Sequence, residues 1–144
     1  MLKGISGILT PDLLKILMEM GHGDEIVFGD GNFPAASHAQ RLVRSDGHSI
    51  PALLDAVLPL LPLDRYVDCP LAVMAVTPGD TVETPIWDTY RQLAERHHEA
   101  GTALEEVERF ALDGRARKAY AIVATGEKAL YANIILKKGV VVEH

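Results

Sequence analysis

Apolar residues recur along this chain in short clusters whose spacing switches between helical and extended. After Thr10-Pro11-Asp12, the residues Leu13, Leu14, Ile16, Leu17 and Met20 fall on one face at helical spacing. Thr10 offers an N-cap hydroxyl, Pro11 suits the first turn and Asp12 meets the positive end of the helix dipole. Gly21 is expected to stop this helix. Glu25 to Gly29 reads as a short strand ended by Asp30-Gly31-Asn32, and Arg41 to Arg44 as another. Ser49 caps a helix that begins near Pro51 and runs through Leu53, Leu54, Val57 and Leu58. Leu71 to Val76 is a continuous apolar run between prolines, the mark of a buried strand. Pro85 to about Ala100 reads as a helix with Ile86, Tyr90 and Leu93 on one face. Glu105 to Phe110 alternates charged and apolar positions, and Ala119 to Ala124 and Tyr131 to Leu136 complete the strands. The pattern predicts a single-domain α/β layered sandwich over residues 1–144, with a sheet of about six strands flanked by three or four helices.

Composition narrows the setting. The chain has 144 residues, with 20 acidic side chains against 14 Lys and Arg, for a net charge of −6. That balance speaks against nucleic acid, whose phosphates call for clustered cations. Nearly half the residues are apolar, 48%, a generous share for so small an acidic protein. No run reaches the roughly 18 apolar residues of a membrane span, and the N-terminus lacks the apolar core of a secretory signal. The single cysteine, Cys69, reads as a small buried or half-buried hydrophobe and fits a reducing compartment. These features predict a soluble, cytoplasmic protein.

Polar residues gather at the ends of the predicted elements, where α/β proteins bind ligands. His22 stands between two glycines, and a histidine there can exchange protons near neutral pH. Asp30, just past the next strand, is expected to return to the same cleft and orient or charge that imidazole. A histidine after a helix is also an ordinary dipole partner. Arg109, expected near a strand end, has a donor fork suited to two hydroxyls or a carboxylate. Tyr131 and Asn133 are two apart on a predicted strand and would share a face. Phosphate loops, dinucleotide fingerprints and the H-E-x-x-H zinc motif do not occur. Adjacent His97 and His98 point about 100° apart on a helix, a poor metal clamp, and read as a solvated face. Gly79-Asp80 reads as a plain turn.

Taken in order, these pieces resemble the family of L-fucose mutarotase and D-ribose pyranase. The motifs that carry the likeness are Glu19-Met20-Gly21-His22-Gly23-Asp24-Glu25-Ile26, then Asp30 with Phe33-Pro34, and Arg109-Phe110. Lys118-Ala119-Tyr120-Ala121-Ile122-Val123, Thr125-Gly126-Glu127 and Tyr131-Ala132-Asn133 through Lys137-Lys138-Gly139 complete it. Gly23-Asp24-Glu25, Phe33-Pro34 and Arg109-Phe110 look like the fucose branch, whereas Tyr131-Ala132-Asn133 is the form common on the ribose side. One stretch departs: fucose members usually follow Arg109-Phe110 with an aromatic pair and an acid, and here the stretch is Ala111-Leu112-Asp113-Gly114-Arg115, without the aromatics. The resemblance implies a sugar site of His22, Asp30, Arg109, Tyr131 and Asn133, with His22 beside Asp30 handling one proton, either Tyr131 or Tyr120 handling the other, and Arg109 and Asn133 holding hydroxyls. It implies no metal or organic cofactor. It also implies interconversion of the anomers of a free monosaccharide, and homo-oligomeric rings, typically decamers, with sites near subunit interfaces. A ribose-type pyranase and a non-catalytic sugar-binding protein are the alternatives.

Overall fold

The computed structural model describes residues 1–98 and 103–143. In chain order the elements are α1 (Pro11–Glu19), β1 (Glu25–Gly29), α2 (Ala35–His38), β2 (Leu42–Ser45), α3 (Ile50–Val57), β3 (Leu71–Met74), α4 (Pro85–His97), β4 (Leu104–Val107), α5 (Arg109–Lys118), β5 (Ala121–Thr125) and β6 (Ile134–Lys137). The expected caps form: the Leu13 N–H donates to Thr10 Oγ1 at 3.1 Å and the Ala52 N–H to Ser49 Oγ at 3.3 Å. Each satisfies an N–H that the helix itself leaves orphaned.

Six strands form one sheet in the order β2-β5-β1-β6-β3-β4. β2, β5 and β1 run parallel, β6 is antiparallel to both β1 and β3, and β3 is parallel to β4. Five strands therefore end at one edge of the sheet, and β6 alone begins there. Both faces are covered. Ile26 and Phe28 of β1 join the larger apolar cluster with α1, α3 and α4, whereas Val27 joins Ala35 of α2 and Leu112 and Ala116 of α5. The two-residue alternation sends neighbours to opposite faces, so a doubly covered strand reads as unbroken apolar sequence.

Four expectations change. The segment after Val107 turns into α5, capped by the Glu108 carboxylate, which accepts the N–H groups of Phe110 and Ala111 at 3.0 Å each. Arg109 thus opens a helix rather than ending a strand. α5 escapes a periodicity search because it buries only Leu112 and Ala116 and carries Gly114. Tyr131 and Asn133 precede β6 and do not share a strand face: Tyr131 is left-handed at φ 55°. His97 and His98 do not form a solvated face. His97 Nε2 contacts Asp55 at 2.8 Å, and His98 is half-buried with its pKa lowered by that burial. The predicted end of α4 near Ala100 lies outside the described residues. α1 ends at Glu19, and Gly23 rather than Gly21 takes the left-handed turn.

Candidate functional site

The strand order decides where the polar residues meet. β6 enters the sheet where β1 leaves it, with Phe28 opposite Ile134. Just beyond this pair the two segments stay tied, and the Asp30 N–H donates to Asn133 Oδ1 at 2.7 Å. Asn133 is buried, 6% exposed. Tyr131 is aimed from the same loop by α4: the Trp87 indole donates to the Tyr131 carbonyl at 2.8 Å, and the Tyr90 hydroxyl to the Ala132 carbonyl at 2.6 Å. These bonds hold Tyr131 in a backbone region that non-glycine residues rarely occupy, strain of the kind found at ligand sites.

Asp30, Arg109, Tyr131 and Asn133 line one open cleft of about 400 Å³ at this edge, with Phe33, Pro34, Met74 and Leu130 supplying apolar wall. Four segments distant in sequence converge there. α5 is braced by Arg115, which bonds Glu25 at 2.5 Å and Glu105 at 2.7 Å. That bracing directs Arg109 and, one turn on, Asp113 into the cleft. Arg109 lines the cleft with no carboxylate paired to it among the described residues, its guanidinium 5.8 Å from the Phe110 ring centroid. Burial raises the Asp30 carboxyl above its ordinary value and the Glu127 charge adds to this, against the backbone N–H groups of Asn32 and Phe33. The chemistry is that of a polyhydroxylated ligand: acceptors, a forked donor, an amide and a phenol around a small apolar wall.

His22 and Tyr120 lie elsewhere in the chain. β1 separates its two ends by about 17 Å, at roughly 3.3 Å for each of its five residues. His22 precedes the strand and Asp30 follows it. Asp30 therefore does not orient His22 within one chain, and Asp64 does: His22 Nε2 meets Asp64 Oδ1 at 3.1 Å, and the carboxylate is only 4% exposed. Burial pushes the Asp64 carboxyl up, but the Tyr66 N–H and His22 together outweigh it and bring the group below the ordinary carboxylate value. The Tyr66 ring lies against the imidazole with centroids 5.4 Å apart. Tyr120 precedes β5 at this same opposite edge, its hydroxyl bonded to Glu19 at 2.6 Å and its ring under the Arg41 guanidinium.

The reading from sequence missed Asp64, Asp80 and Asp113. Asp80 accepts the Tyr131 hydroxyl at 2.6 Å, so the turn after Gly79 forms part of the cleft wall. Only the Pro-Gly-Asp turn signal marked it. Among the described residues no three His, Cys, Asp or Glu side chains gather closely enough to hold a metal ion.

This frame is that of a known family of sugar-handling proteins. Residues 3–141 match the RbsD / FucU transport protein family, and the chain belongs to it. It is 52% identical to the human (Homo sapiens) fucose mutarotase over 147 residues, covering 96% of this chain and 94% of that protein. The fucose mutarotase of Streptococcus pneumoniae, solved in complex with L-fucose, superposes with a TM-score of 0.93 at 56% identity, covering 98% of this chain and all of that one. FucU from Bifidobacterium longum superposes at 0.94 with 52% identity, covering 97% of this chain and all of that one. RbsD of Bacillus subtilis, solved with D-ribose, is 20% identical at a TM-score of 0.73 over 95% of this chain and 98% of that one, a likeness of fold alone.

Proposed function

We propose that this chain is an isomerase, a mutarotase that interconverts the α and β anomers of free L-fucose. The observation that carries the reading is the convergence of Asp30, Arg109, Tyr131 and Asn133 on one cleft, in a chain about half identical to fucose mutarotases over nearly its whole length. Mutarotation opens the sugar ring, turns the C1–C2 bond and closes the ring on the other face. Opening removes a proton from the anomeric hydroxyl and delivers one to the ring oxygen, which is general acid–base chemistry without redox or hydrolysis. Arg109 and Asn133 hold hydroxyls, Tyr131 lies against the ring, and Asp30 receives a further hydroxyl.

His22 handles one proton, and it comes from a second copy of the chain. The half-site with His22, steadied by Asp64, lies at one edge of the sheet, and the half-site with Asp30 and Arg109 at the other. Joining unlike surfaces head to tail generates rings, and a decamer built of rings is the assembly we infer. Exposed apolar side chains at both edges support this: Phe110 and Leu130, 77% and 54% exposed, beside the cleft, and Tyr66, 80% exposed, beside His22. The apolar share of the composition then covers subunit contacts. A reducing cytoplasm is the setting we infer, in keeping with the free thiol of Cys69. Among the described residues no helix is long and apolar enough to cross a membrane.

Exchange NMR on L-fucose at anomeric equilibrium tests the reading. Added protein should accelerate α/β exchange, and His22→Ala should remove most of the gain. Buffer-rate exchange with wild-type protein refutes it, and faster exchange for D-ribose than for L-fucose reassigns the sugar. Mixing refolded His22→Ala with Arg109→Ala subunits tests the shared site. Random assembly of heterologous contacts returns about a quarter of the sites to wild-type composition. No recovery means that each chain works alone.

A further inference from the structure

We propose that Asp113 is the second proton-handling group of the cleft, with His38 as its positioning residue. This rests on the mutarotase reading, which assigns one of the two protons to His22. Among the cleft side chains, the Tyr131 hydrogen is already directed at Asp80, at 2.6 Å. Asp80 also takes the Val82 N–H, and Asp30 takes that of Asn32. Arg109 has no acceptor to offer.

Asp113 differs. It stands four residues after Arg109 on α5 and therefore on the same face of the helix. Its side chain is 38% exposed, open to a ligand, whereas the His38 side chain behind it is 9% exposed. His38 Nε2 meets Asp113 Oδ1 at 2.7 Å, and His38 Nδ1 meets Ser37 Oγ at 3.0 Å. The Ser37 hydroxyl also lies 3.1 Å from the Pro34 carbonyl, and the Phe33 ring packs edge-on against the imidazole. Ser37 can therefore donate to a bare Nδ1, or accept from a protonated Nδ1 while giving its own hydrogen to Pro34. His38 keeps both ring nitrogens bonded as the neutral ring and as the imidazolium, and in both it holds the Asp113 carboxylate through Nε2–H. A staple between α2 and α5 needs no such tolerance. His38 therefore holds Oδ1 in place through the whole turnover, during which only Oδ2 gains and loses a proton.

In ring opening, the anomeric hydroxyl displaces the long Arg117 contact and its proton passes to Asp113 Oδ2 while Oδ1 keeps its bond from His38. The C1–ring oxygen bond breaks, its electron pair stays on the ring oxygen, and that oxygen takes a proton from the imidazolium of the second copy's His22. C1 becomes the aldehyde. After rotation about C1–C2, the hydroxyl that was the ring oxygen attacks C1 and returns its proton to His22. Asp113 returns the other to the new anomeric oxygen, so no proton is gained or lost over the cycle.

The test is exchange NMR with L-fucose on wild type, Asp113→Asn, Asp113→Glu and His38→Ala, with Tm measured at one protein concentration. Asp113→Asn keeps an acceptor for His38 but cannot take the proton. It should lower kcat by about 100-fold or more, with KM within about threefold and Tm unchanged. Asp113→Glu should recover at least part of that loss, and His38→Ala should lower kcat without changing KM. Wild-type kcat in Asp113→Asn, a loss confined to KM, equal rates in the Asn and Glu variants, or a Tm collapse in Asp113→Asn each overturns the assignment. If wild-type protein itself fails to accelerate exchange, the mutarotase reading falls. If it accelerates exchange and Asp113→Asn does too, only this inference falls.

Discussion

Asn133→Ala separates the two duties of one side chain. Its Oδ1 accepts the Asp30 N–H at 2.7 Å across the junction of β1 and β6, and the residue also lines the cleft. Truncation leaves a part-buried backbone donor without its partner, and an unsatisfied buried donor costs about 1–3 kcal/mol. For a chain of this length that corresponds to a Tm lower by roughly 3–10 °C. The same truncation frees Asp30 from its fixed position and removes a donor to the sugar, so KM for L-fucose should rise more than kcat falls. Thermal unfolding is followed by circular dichroism at fixed protein concentration, because assembly makes Tm concentration-dependent. Kinetics come from the same preparation by exchange NMR. An unchanged Tm would refute the claim that this bond couples β1 to the β6 loop. An unchanged KM would remove Asn133 from the sugar site.

Three further predictions follow from the packing and the charges. A Cβ at Gly126 would stand 2.1 Å from the Asp46 carbonyl oxygen, whereas one at Gly47 meets nothing within 4 Å. Gly126→Ala should therefore destabilise by about 1–3 kcal/mol or more and Gly47→Ala hardly at all, as urea midpoints will report. Burial raises the Asp30 carboxyl in the folded state. Its favourable contribution is thus present below the ordinary carboxylate pKa and is lost as pH rises through the folded value. Asp30→Asn, which cannot titrate, should gain Tm over wild type as pH climbs from 3.5 to 8 while losing activity, and a pH-independent Tm difference argues against this. Trp87→Phe deletes the 2.8 Å bond to the Tyr131 carbonyl. It should lower Tm by the worth of one hydrogen bond, about 1 kcal/mol, and relax Tyr131 from its left-handed backbone, which a crystal structure of the variant checks directly.

Local chemistry made much of the fold legible. Glu25–Gly29 appears as the strand read from its sequence, because a strand covered on both faces leaves an unbroken apolar run. The starts of α1 and α3 were marked by Thr10-Pro11 and Ser49, whose side-chain caps operate within three residues. α5 was hidden because it rests on the sheet through only Leu112 and Ala116, too few contacts to write a period.

The chain by itself marked candidate residues for the chemistry: an imidazole between glycines, an Asp after a strand, an Arg, and a Tyr and Asn ahead of the last strand. It could not determine which of them meet. That was decided by β6 entering the sheet antiparallel between β1 and β3, which sets Asn133 beside Asp30 and sends His22 to the other edge. Strand direction and order arise from contacts between segments a hundred residues apart, and no local pattern encodes them. The same tertiary step brought Asp113, named in the sequence only within the stretch that departs from the family pattern, to line the cleft with His38 beside it.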